Sequence, residues 1–515
     1  MRIIRKPSAL LQLFLLLIAG FSITRAQEDP LKGLDTYIEQ AMQAWELPGL
    51  AIAVVKDDQV VYARGFGVRE LGRPDQVNEH TLFAVASHTK AFTGLALGLL
   101  VQQGQLSWDD RVVYLMPGFQ LYDPVATREM TVRDLLTHKQ GYRTWAGDLL
   151  WWASNLSRQD VLVRLKYLEP DYSFRSRYGY NNMMFVAAGE LIPIITDTTW
   201  DDYVTARLLK PLGMSRTNTS ISQLPENGNV ASPHIRIDGK MTPIPYRNID
   251  NSGPAGALNS SASDMARWLR FQLAFGHWEG IQLVDSAIIR ETRTPQTLLR
   301  PGANFQRHFT TTHFLAYGLG WFMQDYHGYL VLRHSGGMDG MLSYSLFLPE
   351  AGVGVTLLTN AQDQRLYSSL PWYVVDRLLS LPAKDWSIAY LADAKAAERK
   401  DTQARKIREK NRAKRSKPTL PLKAYAGTFH NDFIGTATVT HGLGRLVLHL
   451  NSHENVIGPL EHWHYDTFVS KWSDPMWGES FVTFTLDSNG KATALSLKVR
   501  EEFIDPLEYS FQRAR

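Results

Sequence analysis

Ser87 and Lys90, in the stretch FAVASHTKAF of residues 83–92, stand three positions apart just ahead of an apolar run. On a helix that spacing puts both side chains on one face, with Cβ atoms about 5–6 Å apart, so the amine reaches the hydroxyl. A serine hydroxyl is a weak nucleophile at neutral pH and needs a base within hydrogen-bond reach. Lysine serves as that base only when neutral; burial beside AFTGLALGLL, or a cationic neighbour, lowers its pKa. The same letters also suit an ordinary polar helix start. Ser488 and Lys491 repeat the spacing inside TLDSNGKAT, which reads as a hairpin turn with solvated side chains, so spacing alone does not decide.

Two further stretches carry compatible chemistry. Tyr180, Asn181 and Asn182 fall where turn residues give way to a helical pattern; a phenol there can relay protons and an amide can orient a carbonyl. Tyr246, Arg247 and Asn248 repeat that tripeptide pattern and show how common it is. In LRHSGGMDGM, His334, Ser335, Gly336 and Gly337 end a strand-like run. Glycines at a strand edge let a backbone N–H approach a ligand closely, as an oxyanion hole requires. Each stretch taken singly also suits a core tyrosine or a strand-end turn.

The elements that must position these residues are legible in outline. LAIAVVKDDQVVYARGFGVRE reads as two strands about a DD turn. Helical patterns follow at SHTKAFTGLALGLLVQQG, TVRDLLTHKQ, NNMMFVAAGELIPII and SASDMARWLRFQLAF. Strand-like runs return at GYLVLRHSGG, MLSYSLFLPEA and GVGVTLLTN. Early and late strands around a helical middle predict an α+β fold, one antiparallel sheet built from both ends of the segment and packed with helices. Residues 394–417 hold eleven Lys or Arg against three Asp or Glu and lack an apolar stripe. They read as a solvated helix ending in a linker, with contact to an anionic surface such as lipid headgroups as the alternative. From 419 to 515 short alternating runs between Gly, Asn and Asp turns predict a small antiparallel β-domain, sandwich or barrel.

Composition bounds the remainder. A chain of 515 residues, 44% hydrophobic, is long enough for a large core and two domains. The start combines Arg2, Arg5 and Lys6 with an apolar run and short residues up to Ala26, a signal peptide with cleavage expected after Ala26 and a secreted or periplasmic destination. No later segment offers about twenty uninterrupted apolar residues, so no transmembrane span is expected in the mature chain. The absence of cysteine excludes thiol catalysis and Cys-ligated metal. The whole-chain charge of +4 is accounted for by the basic stretch and the N-terminal cations; the body is mildly acidic, and no nucleic-acid partner is expected. His462 and His464 in HWHYD offer two metal ligands, but no further His or Cys cluster lies nearby. Paired histidines on one strand face are the simpler reading, and no metal or cofactor is expected.

In this order, S-x-x-K, Y-x-N and H-x-G resemble the three active-site motifs of the serine beta-lactamase and penicillin-binding superfamily. GQLSWDDRVVYLMPGF, MTVRDLLTHKQGY and GPAGALNSSASDMARWL look like framework segments of its class C beta-lactamase-like branch. The resemblance spans about residues 30–380 and selects Ser87 over Ser488 and Tyr180 over Tyr246. It implies that Ser87 attacks a carbonyl to form an acyl-enzyme, with Lys90 as base or co-base. Tyr180 would shuttle the proton to the leaving group, and Asn182 would hold a substrate amide or support Lys90. The N–H groups of Ser87 and Gly337 would form the oxyanion hole, with Ser335 and Gly336 beside them.

His334 stands where beta-lactamases and cell-wall carboxypeptidases of this superfamily carry a carboxylate-anchoring lysine, which argues against efficient β-lactam hydrolysis. The H-x-G form is similar to D-aminopeptidases and related peptidases or esterases, where the histidine assists proton transfer or hydrogen-bonds substrate. Trp145, Trp151 and Trp152 lie in a region that borders the cleft in this family; they form either an aromatic wall or core packing. YAGTFHNDFIGTATV and LEHWHYDTF resemble the lipocalin-like barrel that follows the catalytic domain in some of these peptidases and shapes access to the site. The expected organisation is therefore a signal peptide (1–26), a beta-lactamase-like serine hydrolase domain (27–392), a basic helical linker (393–418) and a lipocalin-like barrel (419–515). The expected activity is cleavage of amides or esters, foremost as a peptidase on short or D-amino-acid-containing peptides. A carboxylesterase or weak beta-lactamase is the alternative, and a non-catalytic penicillin-recognising binding or sensor protein is the alternative from another class.

Overall fold

The structure, a computed structural model, describes residues 29–499 and 505–514; the expected signal segment lies outside the described residues. The DD hairpin forms as read: β1 (Gly49–Lys56) and β2 (Gln59–Gly67) pair antiparallel, with Asp57 and Asp58 both at positive φ as a tight hairpin turn demands. The late segment supplies six more strands: β3 (Thr297–Leu299), β4 (Leu315–Tyr317), β5 (Phe322–Tyr326), β6 (Tyr329–Met338), β7 (Met341–Leu348) and β8 (Val353–Thr359). The order β2-β1-β8-β7-β6-β5-β4-β3 joins the two ends of the segment through β1 against β8. It is the α+β sheet the sequence predicts.

Helices cover both faces. On one side α1 (Leu34–Trp45) and α5 (Leu366–Leu378) pack with Trp372 and Trp386 in one apolar cluster. On the other lie α2 (Thr89–Gln102), α3 (Asn182–Thr196) and α4 (Ala262–Leu273). Nearly every residue of α2 is buried, as expected of a helix that is apolar all round. The α3 start is capped by Asn181, which accepts the Met184 N–H, and the α4 start by Ser261, which accepts the Asp264 N–H. TVRDLLTHKQ is helical only over Val132–Leu135; the left-handed conformation of His138 turns the chain toward the site instead.

The basic stretch belongs to a longer helix, α6 (Trp386–Lys410), anchored at its start by the Trp386 indole donating to Asp376 at 2.6 Å and exposed along most of its basic portion. Beyond it, eight strands from Gly427–Asn431 to Glu508–Arg513 close into an antiparallel barrel, which resolves the sandwich-or-barrel alternative. The Ser488–Lys491 decoy lies in its hairpin turn, where Asp487 caps the loop N–H groups. His462 and His464 flank a register shift in their strand, and His462 Nε2 donates to the Tyr465 carbonyl. Among the described residues no helix is long and apolar enough to cross a membrane.

The barrel is docked on the sheet-and-helix domain by specific contacts. Phe433, in the loop between its first two strands, meets Gly147, whose φ of 85° and crowded Cβ position, 2.6 Å from Met183 Cε, admit only glycine. Trp477 packs on Trp152 at 5.3 Å between ring centroids. Arg247 donates to Asp339 at 2.6 Å and to the barrel's Asp474 at 2.5 Å. Asp339 is buried, its other oxygen accepting from the Trp152 indole. Removing one partner of a buried pair leaves the other charge uncompensated. Arg247→Met is expected to cost about 3 kcal/mol, roughly 4 °C in a domain of this size. A thermal melt unchanged from the wild type would contradict that role for the bridge.

Candidate active site

Ser87 sits in a single 3-10 turn (Ala86–His88) that runs straight into α2. Ala86 is held at φ 47°, a conformation that costs a non-glycine residue of order 1 kcal/mol or more. The turn leaves Ser87 half-exposed between fully buried neighbours. Strand β6 lies across it. A Cβ on Gly336 would stand 2.0 Å from the Val85 carbonyl oxygen, so only glycine lets β6 pack this closely, while Ser343 of β7 donates to the same carbonyl at 3.0 Å. Gly337, one position on, is exposed toward solvent and pairs with Leu342.

Lys90, at the second position of α2, is wholly buried. Its Nζ lies 3.1 Å from Ser87 Oγ and 2.7 Å from both Asn182 Oδ1 and the Ala255 carbonyl. The phenyl ring of Phe185 and the phenol ring of Tyr180 complete its surroundings, with Nζ 4.8 Å from the latter's centroid. Burial pulls its pKa down to about 7, against a smaller upward pull from Asp148. The acceptors are fixed: a carbonyl only accepts, and Asn182 is oriented because its Nδ2 donates to Asp148 Oδ2 at 2.7 Å. A neutral amine gives its two hydrogens to these and turns its lone pair to the Ser87 hydroxyl. The Tyr180 phenol faces Ser87, and burial holds it above the ordinary range.

The structure therefore brings Ser87, Lys90, Tyr180 and Asn182 together, and Ser335, Gly336 and Gly337 onto the strand crossing the nucleophile. His334, expected to assist proton transfer or to hydrogen-bond substrate, is surrounded by protein partners. It is buried, its Nδ1–H donates to the Ser335 carbonyl at 2.7 Å, and its Nε2 accepts the Tyr317 hydroxyl at 3.2 Å. Burial, with His88 and Lys90 nearby, drives its pKa well below the usual range, so it is a neutral ring with both nitrogens engaged. Trp151 and Trp152 belong to the core, their indoles donating to Asp148 and Asp339; of the three tryptophans only Trp145 is exposed, at 37%.

Several residues of the site escaped sequence reasoning. Asp148 is buried and holds Asn182 in place. His138 accepts the Asn181 N–H at 3.1 Å, and its ring lies 4.3 Å from that of Tyr180. Tyr317 reaches His334 from β4. None has a fixed offset from the three motifs; the one usable signal was a lone acid, Asp148, inside the apolar run WAGDLLWW.

Residues 34–378 match the family described as beta-lactamase, and residues 411–513 match a domain of unknown function, DUF3471. An unguisins hydrolase of Aspergillus violaceofuscus is 28% identical over 436 residues, covering 79% of this chain and 76% of that protein. An octameric penicillin-binding protein homologue from Pyrococcus abyssi superposes with a TM-score of 0.62 at 21% identity, over 93% of this chain and 99% of that one. A D-stereospecific amidohydrolase from a Streptomyces species gives 0.52 at 22% identity, over 66% and 97%. At these identities the two structures establish the fold.

Lys90 acts as a base only in its neutral form, so reaction at Ser87 should rise with pH as that proton is lost. The rate constant for labelling by a fluorophosphonate is expected to reach half its plateau near pH 7. A limb that begins only above pH 9 would contradict a neutral Lys90.

Proposed function

Since the chain belongs to the beta-lactamase family, whose members of this fold are serine hydrolases, we propose that it cleaves amides or esters through an acyl-enzyme on Ser87. The observation that carries this reading is the Lys90 amine, buried, with two fixed acceptors for its hydrogens and Ser87 Oγ in its remaining direction. In acylation Lys90 takes the Ser87 proton as Oγ attacks the carbonyl carbon. Tyr180 passes a proton to the departing amine or alkoxide, and water later releases the acyl group by the reverse relay. The N–H groups of Ser87 and Gly337 receive the oxyanion, an interaction worth a few kcal/mol per donor.

Within that class, peptidase action on short or D-amino-acid-containing peptides is the favoured activity. A neutral His334 with both nitrogens engaged gives no cation at this position to anchor a substrate carboxylate, which favours amide and ester substrates over β-lactams. The D-stereospecific amidohydrolase that shares the fold is in keeping with this choice. We read the chain as exported, on the strength of its basic and apolar N-terminal segment.

The test has two arms. A fluorophosphonate should label the purified protein covalently, and Ser87→Ala should abolish the label; equal labelling of the variant would sink the mechanism. Against D-aminoacyl amides, p-nitrophenyl esters and nitrocefin in parallel, turnover of the amides or esters should exceed that of nitrocefin. Nitrocefin as the best substrate would overturn the reading of His334.

A further inference from the structure

The acylation reading leaves unexplained why a carboxyl as deeply buried as Asp148 stands behind Asn182, and why a second buried carboxyl from the barrel stands behind it. Asp148 spends one oxygen on the Trp151 indole and the other on Asn182 Nδ2, each at 2.7 Å. Asp505, wholly buried in the last segment of the barrel, accepts the N–H of Leu149, the residue next to Asp148, at 3.0 Å. It also accepts the Tyr509 hydroxyl at 2.6 Å and the Leu507 N–H at 3.0 Å. His453, also from the barrel, donates from Nε2 to the Leu149 carbonyl at 3.0 Å. The backbone on which Asp148 rides is thus clamped from the barrel side at both its N–H and its carbonyl.

We propose that Asp148 and Asp505 form a carboxyl pair across the interface that positions Asn182 and, through it, Lys90, making the barrel part of the acylation machinery. This rests on the Ser87–Lys90 reading and extends it to residues that touch no substrate. Two carboxyls that sense each other in a dry interior do not both ionise readily. Asp505, with three hydrogen bonds from the protein, is the better placed to carry the charge; burial still raises its pKa to about 6. Burial and then the neighbouring Asp505 push Asp148 up to about 8. The groups facing Asp148 are Asn182 and Trp151 in direct contact, Lys90 beyond the amide, and Tyr180, Tyr509 and Asp505 around it. Asp505 faces Tyr509, Asp148 and the more distant Arg143.

The sign follows from these placements. An ionised Asp148 would favour the protonated Lys90, and Asp505 opposes that ionisation, so the barrel's charge keeps Lys90 available as a base. Asp505→Asn preserves an acceptor for Leu149 and Tyr509 but removes the charge. In the full-length protein it is expected to move the acid limb of fluorophosphonate labelling up by about half a unit to one unit. Labelling at pH 7 then slows by roughly two- to fivefold. Asp148→Asn removes the ionisable group itself; because Asp148 is held mostly neutral near pH 7, the same limb should stay in place or move slightly down. The double variant should follow Asp148→Asn alone, because Asp505 acts through Asp148.

Tyr509→Phe, which strips one hydrogen bond from the Asp505 carboxylate, should shift the limb in the direction of Asp505→Asn by a smaller amount. It reads the same coupling if Asp505→Asn does not fold. A limb unmoved in folded Asp505→Asn or Tyr509→Phe, an upward shift for Asp148→Asn, or an undiminished Asp505 effect in the double variant would each overturn the pairing. A wild type that is not labelled at Ser87 would overturn the underlying reading instead, so the two failures are separable.

Discussion

In its neutral form Lys90 Nζ has two hydrogens for two fixed acceptors, Asn182 Oδ1 and the Ala255 carbonyl, and a remaining direction that meets Ser87 Oγ. Most of the catalytic half can be understood as the means of keeping that arrangement dry. Helix α2, apolar all round, is buried on nearly all sides and so screens the amine at its second position from water. The α3 start puts Asn182 within reach of it, and the short helix over Gly253–Gly256 delivers the Ala255 carbonyl. Burial of an ammonium disfavours its charge, so the packing that stabilises the fold also sets the protonation state on which the chemistry rests.

The barrel extends the same logic. Among its contacts are those on the segment carrying Asp148 and, through Arg247, on Asp339 just beyond the glycines of β6. In the Pyrococcus abyssi homologue the fold match runs over nearly the whole length of both chains, so the pairing of these two architectures is not peculiar to this protein. The docked barrel places the buried Asp505 carboxyl against the Leu149 N–H, next to Asp148.

Local patterns gave a sound guide wherever local physics governs. The DD hairpin, the apolar α2, the capped α3 and α4 and the three late strand-like runs all follow from period, caps and turn residues, and the sheet follows from where those strands lie along the chain. Ser87 and Lys90 could be paired from their three-residue separation, and the structure puts Lys90 Nζ 3.1 Å from Ser87 Oγ. What remained hidden depends on contacts between distant segments. Asp148 meets Asn182 across 34 positions and the barrel supplies Asp505 from 356 positions beyond Leu149; no spacing rule links them. The surroundings of His334 were hidden for the same reason, since its partner Tyr317 comes from another strand and its burial from the packed sheet.

The central claim is that Lys90 is neutral near physiological pH because the fold buries it. Carbon-13 NMR of the full-length protein labelled at lysine Cε reads this directly, with Lys90→Arg identifying the resonance. The account expects that resonance to titrate near pH 7, apart from the surface lysines. A Lys90 resonance that stays in the ammonium form until pH 10 would contradict it.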